Sequence, residues 1–530
     1  MSKMIAVEAS KPLRSLLQTE GKTSDIASLG AFLGILVAIP IWAVTVLPLS
    51  IGWQVGKALL QPLLGKKSTP GSGLDTARLS ADAPADVDST IDIIPQSDRK
   101  YDVVLLGASG YTGKFAVTHL METYGIDGDV KWAVAGRNKA KLSATLESVA
   151  RELNLEASSQ TVSSVDILLV DTSDPSTLPN LVKHTRVVAT TAGPFQLYGS
   201  PVVEFCAKYG THYVDITGEM DWVRTMILQH EGAAQRTGSK IVSLCGHDSV
   251  PWDLTVMKLA EGINQHDKEE ELVEVSIVND IKGAASGGTM ATMKLAVGGE
   301  MIVPPKTNFD PLIRLRDGTK SLSRTKLALP AFISSMQFPK ESGRVVTAPF
   351  VMSAVNGSVV KRSHALRGRN DTKTSPPLPP PTLVYREARS FADVKSALVD
   401  YLGTILFLTA LLNPVTSKLI DLLQIIPEPG SVMGNISKQT MTNEFYLSVA
   451  AVGIGSKGTK LESILYFDRD PGYIDTARML IESALCLAMD HDVIPKQGGG
   501  FYTPSTAFGN VLLNRLCKRG THFQMRLVQE

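Results

Sequence analysis

The chain has 530 residues, of which 44% are hydrophobic, and its formal net charge is +1. This length allows two or three domains, and the near-neutral charge argues against a broad nucleic-acid-binding surface. The cysteines form no C-x-x-C pair, which disfavours a zinc site and a disulfide framework; they are Cys206, Cys245, Cys486 and Cys517.

The first element in chain order is a long run without charge, Ile26–Gly56. The part richest in apolar residues, Leu29–Leu49, reaches the roughly 20 residues that a membrane-spanning helix needs. Pro40 and Pro48 interrupt it, which leaves a kinked span and a one-leaflet hairpin open; the alternative is a buried core helix. We expect a membrane anchor over residues 1–60.

The next stretch, residues 61–98, is rich in Gly, Ser, Pro, Ala and Asp, and we interpret it as a flexible linker. Lysines follow the apolar run at Lys57, Lys66 and Lys67, which favours a cytosolic position for the rest of the chain. The expected location is a membrane surface, that of a lipid droplet, the endoplasmic reticulum or another organelle.

From residue 99 onward, short apolar runs alternate with helical patterns. This alternation predicts an α/β domain over residues 99–250, a Rossmann-type doubly wound parallel sheet. The predicted strands are Val103–Leu106, Lys131–Ala135, Ile167–Val170, Val187–Thr191, Tyr213–Ile216 and Ile241–Leu244.

Three glycines follow the first strand, with the spacing G-x-x-G-x-x-G: Gly107, Gly110 and Gly113. Between a strand and a helix, such glycines permit a tight turn, the approach of a diphosphate and close packing of the helix on the strand. The helix N-terminus favours the anion. We predict a dinucleotide-binding turn in which hydroxyl groups add contacts; these belong to Ser109, Tyr111 and Thr112.

The end of the second strand carries Arg137 and no carboxylate. NAD enzymes commonly place an acidic residue there for the ribose 2′-hydroxyl, whereas a guanidinium pairs with a 2′-phosphate. The sequence therefore favours NADP over NAD, with an unpaired surface arginine as the alternative. Asp171 follows the third strand, where it either approaches the adenine or caps a turn.

The loop after the fourth strand contains Ala192, Gly193 and Pro194, small residues that leave room for a nicotinamide ring. Four polar residues follow the next strands and are candidates for proton transfer, although each also has a structural interpretation as a cap or loop brace: Asp215, Glu219, His247 and Asp248. Tyr198 is followed by Val202 at the spacing where a Tyr-x-x-x-Lys pair would have lysine. The catalytic group stays unassigned.

Residues 251–530 are predicted to form a second domain. We expect a strand at Leu272–Val278, loops over 304–370, antiparallel strands within Met441–Asp468, a helix at Tyr473–Met489 and a loop at 495–508. Basic residues before the proline run are interpreted as a solvated loop, with contact to anionic lipid as the alternative; they are Lys361, Arg362, Arg367, Arg369 and Lys373.

A second apolar segment lies near 400–426. Its run Leu402–Leu412 is too short to span a bilayer. Apolar residues at helical spacing follow this run up to residue 426. The segment therefore either lies in a membrane surface or covers the protein core.

Several motifs occur here in the order seen in saccharopine dehydrogenase-like oxidoreductases, which the chain therefore resembles. They are GASGYTG, WAVAGRN, TTAGPFQLYG, YVDITGE, GHDSVPWD, ASGGT and PKQGGGFYTPSTAFG. The resemblance implies a second α/β domain with a mixed sheet, C-terminal helices that pack back on the Rossmann domain, and a possible homodimer. One departure is His247, which stands where phenylalanine is usual.

The family includes lipid-droplet-associated proteins and bacterial trans-acting enoyl reductases. The resemblance, the turn and the apolar segments lead to one main hypothesis, a membrane-associated NADP-dependent reductase of a lipid-like substrate. The alternative is a catalytically idle lipid-surface scaffold that retains the fold. Saccharopine chemistry itself predicts an arginine cluster for substrate carboxylates, which the sequence does not reveal.

Overall fold

A computed structural model describes residues 93–155, 164–283, 326–328, 334–337, 344–367, 382–412, 436–495 and 497–528, together with 416 and 418. The expected anchor at 1–60 and most of the linker at 61–98 lie outside the described residues. So do Arg369 and Lys373 of the basic patch.

The strands are numbered in chain order. They are β1 (Tyr101–Leu106), β2 (Trp132–Gly136), β3 (Ile167–Leu169), β4 (Thr185–Thr190), β5 (His212–Asp215), β6 (Lys240–Val242), β7 (Leu272–Lys282), β8 (Lys326–Ala328), β9 (Ser334–Gln337), β10 (Arg344–Pro349), β11 (Val384–Phe391), β12 (Tyr446–Gly455), β13 (Lys460–Phe467), β14 (Gly500–Tyr502) and β15 (Thr521–Leu527).

The α-helices are numbered in the same way. They are α1 (Tyr111–Tyr124), α2 (Lys139–Glu152), α3 (Leu178–Lys183), α4 (Phe195–Tyr198), α5 (Ser200–Tyr209), α6 (Met220–Thr237), α7 (Val250–His266), α8 (Ser353–Arg367), α9 (Val394–Leu412), α10 (Lys438–Asn443), α11 (Ile474–Met489), α12 (Pro504–Phe508) and α13 (Asn510–Cys517). Short 3-10 helices occupy Gln96–Asp98 and Pro175–Thr177.

The first sheet is parallel throughout, with the strand order β14-β6-β5-β4-β1-β2-β3. Its central strands are buried on both faces, as β1 shows: Val103 and Leu105 belong to one apolar cluster, and Val104 and Leu106 to another. This double burial explains why the strands are near-continuous apolar runs. The predicted Rossmann sheet is confirmed.

Helices cover the two faces of this sheet differently. Helices α1, α2 and α11 contribute to the cluster around Val103, whereas α3, α5 and α6 contribute to the cluster around Val104. The connections after β1 and after β4 therefore lie on opposite faces. In doubly wound sheets such a change of face marks the ligand-binding crevice, which here is expected between the carboxyl ends of β1 and β4.

The second sheet is mixed, as expected, with the order β15-β13-β12-β7-β11-β10-β9 and β8 beside β11. The β7–β11 and β8–β11 pairs are parallel, and the other pairs are antiparallel. Helix α7 packs on its inner face and shares one apolar cluster with the first domain.

The C-terminal part of the chain returns to the first sheet. Helix α11 packs against α1 and β4, and β14 pairs with β6. The predicted loop at 495–508 is therefore wrong over β14 and α12. The sheet has seven strands in the described part of the chain rather than the six predicted.

The prediction that 304–370 is loop-rich is wrong over strands β8, β9 and β10 and over α8, which is a 15-residue helix. The prediction of a solvated basic loop fails with it. Arg362 is 5% exposed and donates to the Phe501 carbonyl oxygen at 2.7 Å, and Arg367 donates to the Ser505 Oγ at 2.8 Å. These two guanidinium groups join α8 to the C-terminal segment.

Helix α9 begins eight residues before the apolar run predicted there and has 19 residues. Its window Val394–Leu411 has a mean hydropathy of 1.5 and is 12% buried. Among the described residues, this is one helix whose length and composition would allow it to cross a membrane.

Candidate functional site

The three-glycine turn joins β1 to α1 at the crevice between β1 and β4. Gly107 has φ +89°, and a Cβ there would lie 2.9 Å from the Ala192 nitrogen. A Cβ on Gly113 would lie 2.2 Å from the Gly107 carbonyl oxygen. The turn is therefore closed to side chains at these two positions, because backbone atoms occupy the space.

The N-terminus of α1 faces this turn. Gly110 is its N-cap and supplies no side-chain hydrogen bond, so the first N–H groups of the helix have no capping partner there. Ser109 and Gly110 are exposed. An open, uncapped helix N-terminus beside a glycine turn fits a diphosphate, which would accept from these N–H groups. Thr112 is half-buried in the first turn of α1.

The Tyr111 side chain points away from the turn. Its hydroxyl donates to the Met441 sulfur at 3.4 Å, and its ring meets Tyr473 edge-on with centroids 5.1 Å apart. Burial raises the pKa of this hydroxyl to about 12. In this arrangement Tyr111 connects α1 to the residues before α11.

The loop after β4 lies directly against the turn. The Thr191 hydroxyl donates to the Gly107 carbonyl oxygen at 3.1 Å, and Gly193 is exposed while Ala192 and Pro194 are half-buried. The structure therefore brings the three small residues predicted beside the nicotinamide to the edge of the same crevice.

Arg137 is exposed immediately after β2. Asp171, after β3, accepts from the Ser173 hydroxyl at 2.6 Å and the Ser173 N–H at 3.0 Å. These bonds and the nearby Arg137 guanidinium lower the pKa of Asp171. The carboxylate thus holds a turn, and the Arg137 charge lies at the edge where an adenosine phosphate would be bound.

Asp215 and Glu219 brace loops instead of facing the crevice. Asp215 is fully buried and accepts from the N–H groups of Thr217 and Leu244. Glu219 accepts from the N–H groups of Phe195 and Gln196 at 2.8 and 2.7 Å, which caps α4. Burial raises the pKa of both, that of Asp215 to about 6. Their hydrogen bonds support the structural interpretation.

His247 and Asp248 lie in the loop between β6 and α7. The His247 N–H donates to the Thr476 hydroxyl oxygen at 3.0 Å, and its ring meets Trp252 at 5.1 Å. The His247 Nε2 is 3.9 Å from the Asp248 Oδ1. Burial lowers the pKa of His247 and raises that of Asp248, and each charge opposes the shift of the other.

Several buried polar atoms near this loop have no hydrogen-bond partner in the described part of the chain. We call them the unpaired cluster; they are His247 Nδ1, Asp248 Oδ1, Ser249 Oγ and Asn356 Oδ1. Ser249 and Asn356 are fully buried. Because native proteins pair nearly all such atoms, these four call for a partner that the described chain does not supply, either a water molecule or a ligand.

Asn356 belongs to a buried network that the sequence analysis missed. Its Nδ2 donates to Glu387 Oε1 at 3.0 Å, as does that of Asn279 at 2.8 Å. The Tyr385 hydroxyl donates to Glu387 Oε2 at 2.7 Å, and the Trp252 indole N–H donates to Asn279. Burial raises the pKa of Glu387 to about 7, and the nearby Asp248 adds to the rise.

Comparisons with known proteins identify the first domain. A family model described as the saccharopine dehydrogenase NADP binding domain matches residues 103–242. This range contains the turn, Arg137 and the loop after β4. NADP is therefore the cofactor of this domain.

Relatives match over nearly their whole length. One from Mycobacterium tuberculosis, whose name includes the words trans-acting enoyl reductase, is 32% identical over 451 residues, 80% of this chain and 97% of its own. The trans-acting enoyl reductase of Mycobacterium ulcerans is 30% identical with the same coverage. Among solved structures, an apo saccharopine dehydrogenase (L-Glu forming) from Saccharomyces cerevisiae covers 81% of this chain and 99% of its own, with a TM-score of 0.44 and 13% identity.

Proposed function

Because this chain belongs to the saccharopine dehydrogenase-like oxidoreductases that include the trans-acting enoyl reductases, we propose that it is an NADP-dependent reductase of a lipid-like substrate. The observation that carries the proposal is the turn at Gly107–Gly113, closed to side chains and followed by an uncapped helix N-terminus. The loop with Gly193 borders it. Bound NADPH would supply a hydride to the substrate.

The chain's own residues have defined tasks in this proposal. The N–H groups at the start of α1 hold the diphosphate, and Arg137 binds the 2′-phosphate in a forked pair. The small residues from Ala192 to Pro194 leave space for the reacting ring. Asp215 and Glu219 hold the surrounding loops in place, since their oxygens already accept backbone N–H groups.

We also propose that the protein works at a membrane surface, that of a lipid droplet, the endoplasmic reticulum or another organelle, with the catalytic part in the cytosol. Two apolar segments support this: the uncharged sequence Ile26–Gly56 and helix α9, which is little buried. A chain without residues 1–60 should move to the soluble fraction on cell fractionation. If it stays fully membrane-bound, the anchor at 1–60 is refuted and the segment 400–426 is the next candidate.

Lipid profiling tests the catalytic part of the proposal. Gly110→Asp places a carboxylate where the diphosphate would bind, and it should block NADP binding by repulsion. Cells that carry this variant should accumulate the unsaturated form of one lipid class relative to wild type. An unchanged lipid profile, with the variant correctly localised, would contradict a reductase.

That negative result would favour the second candidate, a lipid-surface scaffold that retains the fold. One observation supports it, namely that Asp215 and Glu219 are committed to loop backbone and so are poorly placed for proton transfer. In a scaffold, Gly110→Asp would leave lipid composition unchanged, while removal of the apolar segments would abolish localisation.

A further inference from the structure

We propose that the unpaired cluster forms the hydrogen-bonding site for the carboxamide group of the cofactor's nicotinamide ring. The inference rests on NADP binding by the first domain and is independent of the substrate's identity. It assigns a binding role to Asn356, which lies in the second domain, and to the loop at 247–249.

The first argument is burial. Asn356 and Ser249 are fully buried, yet Asn356 Oδ1 and Ser249 Oγ have no partner among the described residues. Leaving a buried polar atom unpaired costs about 1–3 kcal/mol. Three such atoms lie on consecutive residues, and the fourth is joined by Glu387 to the residues around them. A ligand that pairs these atoms removes the penalty.

The second argument is the direction of the Asn356 amide. Its Nδ2 donates to Glu387 Oε1, which leaves Oδ1 as an unpaired acceptor. Asp248 Oδ1 is a second acceptor, and the Ser249 hydroxyl can donate or accept. A primary amide offers two N–H donors and one carbonyl acceptor, so it complements this set of atoms.

The third argument is position relative to the diphosphate turn. The Tyr111 ring at the start of α1 contacts Tyr473, which is the N-cap of α11. Thr476 lies in the first turn of the same helix and accepts the His247 N–H. Because β1, β4, β5 and β6 are parallel neighbours, the loop at 247–249 after β6 also lies at the sheet edge that carries the Gly107 turn and the loop after β4. A dinucleotide binds along this edge in doubly wound sheets.

The fourth argument is the packing of α8 against the first domain. Val359 of α8 belongs to the apolar cluster that includes Leu244, and Val355 and Ala192 both pack against that cluster. Leu244 precedes the 247–249 loop and has φ +62°, a conformation that costs a leucine energy and is commonly kept for a functional reason. Asn356 of the same helix is linked to this loop through Glu387, Asn279 and Trp252, whose ring meets that of His247.

The test compares two cofactors that differ only at the carboxamide. In 3-acetylpyridine adenine dinucleotide phosphate, a methyl group replaces the amide nitrogen and removes both N–H donors. Isothermal titration of the full chain should show that it binds this analogue about tenfold more weakly than NADP+, the ratio expected for one or two lost hydrogen bonds. Equal affinity of the wild-type chain for the two cofactors would overturn the proposal.

Two variants locate the effect. Asn356→Leu keeps the side-chain shape and removes one acceptor, and Asp248→Ala removes the other. Each should lower the ratio of the two affinities toward one, because the analogue then has one hydrogen bond fewer to lose. Asn264→Ala, at an exposed asparagine near the end of α7, is the matched control and should keep the wild-type ratio. A ratio that survives both cluster substitutions would also overturn the assignment.

Titration with 2′,5′-ADP separates this inference from the proposed function. That fragment occupies only the adenosine end, so its affinity should be the same in wild type and in all three variants. If neither 2′,5′-ADP nor NADP+ binds the wild-type chain, the NADP site itself is refuted. If both bind and the analogue binds as well as NADP+, the carboxamide site alone is refuted.

Discussion

The Thr476 hydroxyl oxygen accepts a hydrogen bond from the backbone N–H of His247 at 3.0 Å, across 229 positions of the chain. Through this bond the C-terminal helix α11 holds the loop that follows β6. The same hydroxyl donates to the Pro471 carbonyl oxygen at 2.8 Å, so it is fixed from both sides. The geometry of the loop after β6 therefore depends on a helix from the second domain.

Replacing Thr476 by valine should loosen that loop. The change keeps the side-chain shape but leaves the partly buried His247 N–H without its acceptor, which is expected to destabilise the protein by about 1–3 kcal/mol. Chemical denaturation should show the loss, and hydrogen–deuterium exchange at residues 246–249 should accelerate. Thr442→Val, at an exposed threonine, is the control. Unchanged exchange at His247 would contradict the anchoring role.

Replacing Arg137 by alanine should weaken binding of NADPH by about tenfold and leave NADH unaffected. The reason is that in the proposed site the guanidinium pairs only with the 2′-phosphate, which NADH lacks. Arg137→Lys keeps the charge without the forked geometry and should give an intermediate affinity. Titration calorimetry measures the affinities of wild type and of both variants for NADPH and NADH. An equal loss for both cofactors would show that Arg137 does not discriminate between them.

Gly113→Ala should damage the turn, because the added Cβ would lie 2.2 Å from the Gly107 carbonyl oxygen and 2.8 Å from the Ala108 Cα. Backbone atoms on both sides cannot move apart cheaply, so we expect about 1–3 kcal/mol of destabilisation and loss of NADP binding. Gly218→Ala is the matched control, since nothing lies within 4 Å of its added Cβ. Equal stability of the two variants, with NADP binding by both, would contradict the claim that the turn is tightly packed at Gly113.

Glu482 joins α11 to α1 and α13 and predicts a specific pH dependence. It accepts from Tyr124 at 2.7 Å and Arg515 at 2.9 Å, and pairs with His119 at 2.8 Å. Burial alone would raise its pKa, but these partners outweigh burial and lower the pKa to about 2. The lowered value makes the stabilisation complete above pH 4.5, the ordinary value, and lost as the pH falls toward 2.

Glu482→Gln should therefore lower the free energy of unfolding at pH 7 by on the order of 3 kcal/mol, the equivalent of the pKa shift. The difference between variant and wild type should shrink on acidification below pH 4.5. Chemical denaturation of the variant and of wild type at pH 7 and at pH 3 measures the loss of stability and its decrease on acidification. A difference of the same size at the two pH values would mean that the charge of Glu482 does not stabilise the fold.

The Rossmann sheet was predictable because each strand carries its own signal. In β1 the run from Val103 to Leu106 is apolar at every position, since both faces of the strand are buried, and Gly107 ends it. Strand β14 carries no such signal. It has three residues, two of which are Gly500 and Tyr502, and it joins the sheet only because β6 lies beside it.

Helix α8 and the buried network of Asn356 were missed for a different reason. The helix buries polar residues such as Asn356, Arg362 and Ser363, so it lacks the apolar stripe by which an amphipathic helix is recognised. Asn356 meets Glu387 across 31 positions, and Asn279 meets it across 108. Contacts of this range depend on the folded second sheet, and a single sequence does not encode them locally.

The most direct measurement is a crystal structure of the full chain with NADP+ bound. The account predicts density for the diphosphate within hydrogen-bonding distance of the N–H groups at the start of α1, with the 2′-phosphate paired to the Arg137 guanidinium. A structure with saturating NADP+ in which the Gly107–Gly113 turn holds no diphosphate, or in which the cofactor binds elsewhere, would contradict it.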